Sequence, residues 1–455
     1  MAQALSAEQS GPVLRKVPGQ QLHELLDEPL PESGCSFEEI LTTCRERILP
    51  YCRRNGHPRF FGYVCTSADP LAVLADAMTS AMNQLVTAWR SAPSASSVER
   101  LVVRWLDELV RFGGTGSGLL VGGGSSANFH ALACAVTAAT SRESGVEISR
   151  DRLTIYISTE GHVSLRKAAR LLGVPSGNIR NISVDSQRRM RTDTLHTTIA
   201  EDIDAGFIPA AVCASAGTAN AGTIDPLDEV ARIAHAEGTW FHIDGSYGAP
   251  AVMTDEYRWI ETAFARADSL SLDPHKWLFS PADVGCVLIR DEGVSRRTFT
   301  QFSEYTAVDE ADAIESYAFF DHGLEMSRRF RGLKLWTTLK ARGTDKIKAV
   351  IEHDIALRRH LDEQIAASAN LEGLASELSI CCFRYLPSSA CTQSDIDSIN
   401  KQILEAVQEQ GNCYMSPTSL EGRYALRACI VSFRTTVGDV DTLLDDVLRL
   451  GTQFS

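Results

Sequence analysis

The sequence has no apolar run long enough to cross a bilayer. Stretches such as residues 118–121 and 284–289 fall far short of the roughly 18 residues that a spanning helix needs. It also lacks a Lys/Arg-rich run. Its 44 Lys and Arg stand against 58 Asp and Glu, for a net charge of −14, so no basic face is evident that could displace counterions from nucleic acid or an anionic membrane. The twelve cysteines include no Cys-x-x-Cys pair, the adjacent Cys381 and Cys382 cannot grip zinc between them, and the histidines show no paired ligand spacing. A metal site is therefore not expected. Residues 1–19 carry no apolar core behind a basic front, so no secretory signal is expected, and the cysteines read as reduced thiols of a cytoplasmic protein. There is no internal repeat, low-complexity tract or heptad run.

What is present is ordinary globular composition, 44% hydrophobic and 22% charged, in a chain long enough for two or three packed units at about 150 residues each. Residues 1–70 are punctuated by Pro and Gly and read as a helical arm. Residues 97–112 repeat Val98, Leu101, Val102, Trp105, Leu106, Leu109 and Val110 at helical spacing, with a break expected at Pro93. From there short β-rich runs alternate with longer amphipathic ones: 118–121, 153–158, 210–216, 239–244, 269–272 and 284–290. Strands separated by helices imply crossovers and a mostly parallel sheet. The expected organisation is an α/β large domain over 71–335 and a smaller α+β C-terminal domain over 336–455. In the latter, 345–367 and 437–450 read as helices, and 378–384 and 424–432 as strands.

In open α/β sheets ligands collect beyond the carboxyl ends of the strands, and four such junctions carry chemistry. Val121-Gly-Gly-Gly-Ser-Ser-Ala-Asn128 opens a helix, and its glycines, free N–H groups and hydroxyls suit a phosphate. A dinucleotide fingerprint fits poorly, because Glu143 lies in a turn-like stretch and not at the end of a second strand, and no P-loop lysine follows. Asp244 ends an apolar strand, where an unpaired charge is expensive; the alternative is a carboxylate capping the following turn. Lys276, flanked by Trp277, Leu278 and Phe279, reads either as a desolvated nucleophilic amine or as a snorkelling surface lysine. His162 stands at a strand-to-helix junction, where it can stack on a planar ring or simply cap the helix. A phosphate cradle, an Asp for a ring nitrogen, a stacking His and a lysine amine are together the parts that hold pyridoxal phosphate.

With these parts in place the sequence resembles the group II pyridoxal-phosphate-dependent amino-acid decarboxylases, relatives of the aromatic-L-amino-acid and glutamate decarboxylases within the aspartate-aminotransferase fold. The resemblance runs through His57-Pro-Arg-Phe-Phe-Gly-Tyr63, Gly122-Gly-Gly-Ser-Ser-Ala-Asn128, Gly161-His162-Val-Ser, Gly217-Thr218 with Gly222-Thr-Ile-Asp-Pro226, His242-Ile-Asp244, Asp273-Pro-His-Lys-Trp277 and Ser327-Arg-Arg-Phe-Arg-Gly-Leu-Lys-Leu-Trp336.

It implies the PLP-dependent transferase fold type I: a mostly parallel large domain, a smaller α+β C-terminal domain, and an N-terminal arm packed on the partner of a homodimer whose active site lies at the interface. Lys276 would carry the cofactor aldehyde, Asp244 would meet the pyridine nitrogen and His162 would stack over the ring. Gly124, Ser125 and Ser126 would meet the phosphate, with Thr218, Ser246, Asp273 and His275 around the cofactor. Thr66 would lie near the substrate carboxylate, with Trp89 and Arg90 contributed across the dimer. Ala282 and Val163 would line the side-chain pocket, Ala282 leaving room for a large group.

Tyr305, in Phe302-Ser-Glu-Tyr-Thr306, matches the family's loop tyrosine, a proton donor. The family usually has Glu at Ser126 and a small Ala at Ser246. Asp273 beside a phosphate would be repulsive unless it bonds backbone N–H groups. The activity implied is decarboxylation of an L-amino acid, aromatic or large and apolar, to the amine and CO2. Competing readings are a decarboxylative oxidase or aldehyde synthase, another reaction of the same cofactor on this fold, or a non-enzymatic binding relative.

Overall fold

The computed structural model describes residues 11–114, 116–141, 148–301, 314–389 and 391–455. They form two compact units, one of residues 68–353 and one that joins the described residues up to 67 with residues 354–455.

The larger unit is built on seven strands: β1 (Gly118–Val121), β2 (Leu153–Ser158), β3 (Ile179–Ile182), β4 (Ile208–Ser215), β5 (Trp240–Asp244), β6 (Ser269–Leu272) and β7 (Gly285–Ile289). Their order in the sheet is β1-β7-β6-β5-β4-β2-β3. The run from β3 to β6 is parallel, and β7 lies antiparallel to both β6 and β1. Every residue of β2, β5, β6 and β7 is buried. Because successive side chains point to opposite faces, the sheet is covered on both sides. That is why these segments read as continuous apolar runs and not as alternating ones.

Helix Gly124–Thr140 follows β1 and packs on β4, β5, β6 and β7, burying Ala127, Ala131, Leu132 and Ala135. Its small residues let the helix backbone approach the sheet closely. The edge strand β3 escaped sequence reading because only its two end residues are buried, which leaves no apolar run to detect. The helix expected over 97–112 spans Pro93–Val110. Pro93 is its first residue and not a break before it, since the first turn needs no donor from that position.

The register aligns the strand exits. Ser215 stands opposite Asp244 and Asp244 opposite Ser271. Val121 pairs with Gly285 while Leu272 pairs with Cys286. The two antiparallel steps through β7 thus bring the end of β1 to the same edge of the sheet as the ends of β5 and β6.

The smaller unit has a five-stranded sheet in the order Phe60–Phe61, Tyr414–Leu420, Arg423–Cys429, Ile380–Tyr385 and Leu371–Glu377. Its neighbours run antiparallel, except that Phe60–Phe61 lies parallel to Tyr414–Leu420. Helices Gln393–Gln410 and Val437–Phe454 each start at a threonine capping box. They place Ile403, Val407, Leu443 and Val447 in one core with Phe383, Met415 and Leu426. Three of these strands went unread in the sequence, Phe60–Phe61 because two residues are too short to show a period. Tyr414–Leu420 contains Pro417, and Leu371–Glu377 is mostly half-exposed and polar, so neither shows an apolar period.

Candidate active site

Asp244 sits at the carboxyl end of β5, 6% exposed, where burial by itself would keep its carboxyl protonated. Three donors oppose that. The Ser246 amide donates to Oδ1 at 3.1 Å and the Ser271 hydroxyl to the same oxygen at 3.2 Å, while Asn128 Nδ2 donates to Oδ2 at 2.9 Å. Desolvation pulls the pKa up, but the bond from Ser246, the charge of Lys276 and the bond from Asn128 outweigh it, and the carboxyl is held below the ordinary aspartate range. The site therefore contains a buried carboxylate whose surroundings favour its ionised form. Ser246 adds a hydroxyl 3.3 Å from that of Ser271, extending the donor set about this anion.

Lys276 follows β6 through Asp273-Pro-His. Its backbone amide donates to the Asp273 carbonyl at 2.8 Å and its ammonium lies 2.9 Å from Asp273 Oδ2. His275 Nε2 lies 3.8 Å from the same oxygen, and His275 Nδ1 is 2.6 Å from the Val284 carbonyl. The Asp273 side chain, which would be repulsive beside a phosphate unless it bonds backbone N–H groups, is paired with Lys276. Its Oδ1 is buried with no hydrogen-bond partner among the described residues.

The third part is the start of helix Gly124–Thr140. The first N–H groups of a helix have no partner within it and point at whatever lies before the helix. Ser125 and Ser126 are exposed there, and Gly124 is buried. A Cβ on Gly124 would come within 2.4 Å of Ser246 Oγ and 2.9 Å of Asp273 Oδ2. The helix start, the turn after β5 and the turn after β6 thus meet with room for backbone alone.

His162 N-caps helix Val163–Leu171: its Nδ1 accepts the Ser164 amide at 3.3 Å and lies 2.7 Å from the Ser164 hydroxyl. The capping and ring-facing readings are therefore compatible, because the cap uses one ring nitrogen and leaves the ring face exposed. Thr218, after β4, is buried, and its hydroxyl accepts amides of Thr223 at 3.1 Å and Ala221 at 3.4 Å.

Two further expected residues have hydrogen bonds of their own. Trp89 lies in a short turn, its indole N–H donating to the Ser97 hydroxyl at 3.3 Å and its amide to the Tyr317 carbonyl. Thr66 belongs to the smaller unit, its hydroxyl directed to the Ser67 carbonyl at 3.4 Å. Tyr305 and Glu143 lie outside the described residues.

Asn128 and Ser271, both fully buried, hold Asp244, yet sequence reading gave neither a role. The signal for Asn128 was visible: it is the one amide among Ala127, Ala131, Leu132 and Ala135 on a buried helix face whose only other polar side chain beyond the first turn is His130. A buried amide is almost always bonded to something.

The arrangement fits pyridoxal phosphate on the structure's own terms. There is an amine for the aldehyde, a fixed anion for the ring nitrogen, and a helix start with two hydroxyls and a cradle that a Cβ would fill for the phosphate. These features define a cofactor-dependent enzyme of the α/β class. The model of the pyridoxal-dependent decarboxylase conserved domain matches residues 18–386, and the chain belongs to that family, the pyridoxal-phosphate-dependent amino-acid decarboxylases.

It is 33% identical over 98% of its length to an aromatic-L-amino-acid decarboxylase of Bacillus atrophaeus, covering 92% of that protein. It is also 28% identical to a phenylacetaldehyde synthase of Arabidopsis thaliana over 92% of this chain and 87% of the other. Among solved structures it is similar to Oryza sativa TDC with PLP and tryptamine, with a TM-score of 0.94 and 27% identity over 99% of this chain and 95% of that one. The fold is that of the type I pyridoxal-phosphate enzymes. Among the described residues, no helix is long and apolar enough to cross a membrane.

Proposed function

We propose that this enzyme decarboxylates an aromatic L-amino acid to its amine and CO2. The observation that carries the proposal is the buried Asp244 carboxylate, met by three donors at a strand exit beside the Lys276 turn. When bound, pyridoxal phosphate supplies an electron-poor ring that accepts the electron pair released as CO2 leaves. Lys276 would hold the cofactor through its amine. Asp244 keeps negative charge fixed against the ring nitrogen, where it costs no reorganisation. Gly124, Ser125 and Ser126 bind the phosphate, with Ser246, Asp273 and His275 around the cofactor. His162 covers the ring, Thr218 borders its edge, Thr66 meets the substrate carboxylate, and Trp89 is contributed from the partner subunit of the dimer. The relatives named above support an aromatic side chain, and Ala282 leaves room for one.

Tyr305 is the proposed donor, directly or through His162, of the proton that replaces the carboxylate on the substrate Cα. A second reading is favoured by the similarity to phenylacetaldehyde synthase: with slow protonation, O2 takes the electrons and water enters, giving aldehyde, CO2, ammonia and hydrogen peroxide.

The proposal extends to a cytoplasmic homodimer with the site at its interface and residues 1–70 packed on the partner subunit. The twelve free thiols support the reducing compartment. Incubation with a panel of amino acids, reading CO2, amine and peroxide together, tests the function. Amine and CO2 in equal amounts with an aromatic substrate are expected, and release of CO2 only from acidic substrates would overturn the side-chain assignment. In Tyr305→Phe, product should shift from amine toward aldehyde and peroxide. An unchanged amine yield without peroxide would remove Tyr305 from that role.

A further inference from the structure

Asn128 reaches further than Asp244. Its Oδ1 lies 3.0 Å from His242 Nε2, and its Nδ2 is 2.9 Å from Asp244 Oδ2 and 3.0 Å from Ser164 Oγ. Beyond His242, Nδ1 lies 2.9 Å from Ser269 Oγ, which accepts the Trp240 indole N–H at 2.8 Å. Beyond Ser164 comes His162 Nδ1 at 2.7 Å. One chain of side chains thus runs from β5, through the helix after β1, to the cap of the helix after β2. Asn128, His242 and Ser269 are fully buried, and Ser164 is 4% exposed.

The hydrogens along this chain can be placed by elimination. An ionised carboxylate only accepts, so the Asn128 amide must turn its NH2 toward Asp244, and its oxygen then faces His242. Burial pushes the His242 pKa down to about 4, so the ring is neutral and carries one hydrogen. Facing the Asn128 oxygen, that hydrogen must sit on Nε2. His242 Nδ1 is then an acceptor, and the Ser269 hydroxyl donates to it. On the other branch the second N–H of Asn128 donates to Ser164 Oγ. His162 Nδ1 already accepts the Ser164 amide, so the Ser164 hydroxyl donates to that same nitrogen. The hydrogen of a neutral His162 ring is thereby left on Nε2.

We propose that Asn128 is a positioning residue: by donating to both Asp244 and Ser164 it locks the anion in place and fixes His162 with its ring hydrogen on Nε2, presenting a donor and not an acceptor beyond the ring. The chemical meaning of this rests on the decarboxylase reading, in which His162 covers the cofactor. The hydrogen placement does not. Besides Asn128, Ser246 and Ser271, the groups that act on Asp244 are the Lys276 charge, the neutral His242 and the buried Cys213 thiol, itself pushed up by burial and by the Asp244 charge. None of these can replace an N–H aimed at Oδ2.

The test is 15N spectroscopy of the full chain labelled in its histidine rings, with His162 and His242 assigned by His162→Gln and His242→Gln, before and after pyridoxal phosphate is added. The wild type should show hydrogen on Nε2 for both rings. Ser164→Ala cuts only the His162 branch. It should turn His162 into a mixture of both tautomers, leave His242 unchanged, and lower turnover about tenfold with cofactor affinity held within about twofold, as loss of one orienting hydrogen bond predicts. Ser164→Thr, which keeps the hydroxyl, should restore the His162 pattern. Asn128→Leu should disturb both rings and raise, by about one to two pH units, the pH at which acidification releases the cofactor.

Hydrogen on Nδ1 of His162 in the wild type, or a His162 pattern indifferent to Ser164→Ala, would overturn the proposal, even if Asn128→Leu fails to fold. If the tautomers are as stated but no amino acid yields CO2, the functional reading fails and this one stands.

Discussion

Replacing Asp244 by Asn changes one atom and inverts the demands on its surroundings. Oδ1 accepts two donors, from Ser246 and Ser271, and Oδ2 accepts one, from Asn128. The least disruptive placement keeps the amide oxygen at the Oδ1 position and sets the new NH2 against the Asn128 NH2. One charge-assisted bond is lost, for about 1.5–3 kcal/mol of stability. Asn128 can escape the clash only by turning over, which sets its NH2 against the hydrogen on His242 Nε2 and takes a donor from Ser164.

Turnover should suffer more, because a preorganised charge at the ring nitrogen is removed. A loss of about 10²–10³ in kcat is expected, the range for deleting one fixed electrostatic contact, with the cofactor still bound. The stability difference also has a sign in pH. Asp244 is held below its ordinary value in the folded chain, so its contribution is present above the unfolded pKa and fades as pH falls through that value toward the folded one. The gap between wild type and variant should be constant from about pH 5 to 8 and narrow below about pH 4. Denaturant titration, cofactor titration by absorbance, and CO2 release per bound cofactor measure the three quantities separately. Full turnover in Asp244→Asn, or a loss explained wholly by empty sites, would refute the assigned role.

Lys276→Ala should abolish the visible absorbance of lysine-bound cofactor; a surviving band would mean that another amine carries it. Gly124→Ala should weaken cofactor binding about tenfold or more, because the new methyl overlaps Ser246 Oγ at 2.4 Å and Asp273 Oδ2 at 2.9 Å in a site with little slack, while circular dichroism stays native. An unchanged dissociation constant would show that the helix start is not the cradle. Away from this site, Glu99 pairs with Arg328, both side chains almost wholly buried, and accepts the Leu120 amide at 3.1 Å. Glu99→Ala leaves the guanidinium buried without its anion and should cost about 3–5 kcal/mol in denaturant titration. A loss under 1 kcal/mol, roughly the value of a surface pair, would show that water reaches Arg328.

The central strands were legible because a parallel sheet buried on both faces leaves short, continuous apolar runs with turns between them, and β2, β5 and β6 are such runs. Lys276, Asp244 and His162 stood out for a related reason, since each interrupts or directly follows an apolar segment. The edge strand β3 and the strand Tyr414–Leu420 had no such contrast. What the sequence could not show is pairing. Nothing along the chain says that Asn128 and Asp244, 116 positions apart, share a hydrogen bond, or that Asp273 faces Lys276 and not a run of backbone amides. Those facts follow from the strand order, which returns β1 to the same edge as β6 through β7.

The same order explains why a charge can be kept at the end of the buried strand β5. A carboxylate there would normally protonate, and a protonated Asp244 would offer the ring nitrogen no anion. The sheet supplies the remedy locally: β6, in register beside β5, brings Ser271 opposite Asp244, and the turn after β5 returns the Ser246 amide to Oδ1. The third donor, at Oδ2, comes from outside the sheet. The helix after β1, packed on β5 and β6, supplies it with Asn128. The small residues around Asn128 are thus part of the site: a bulkier Ala127 or Ala131 would lift the helix and withdraw the donor that helps keep Asp244 ionised.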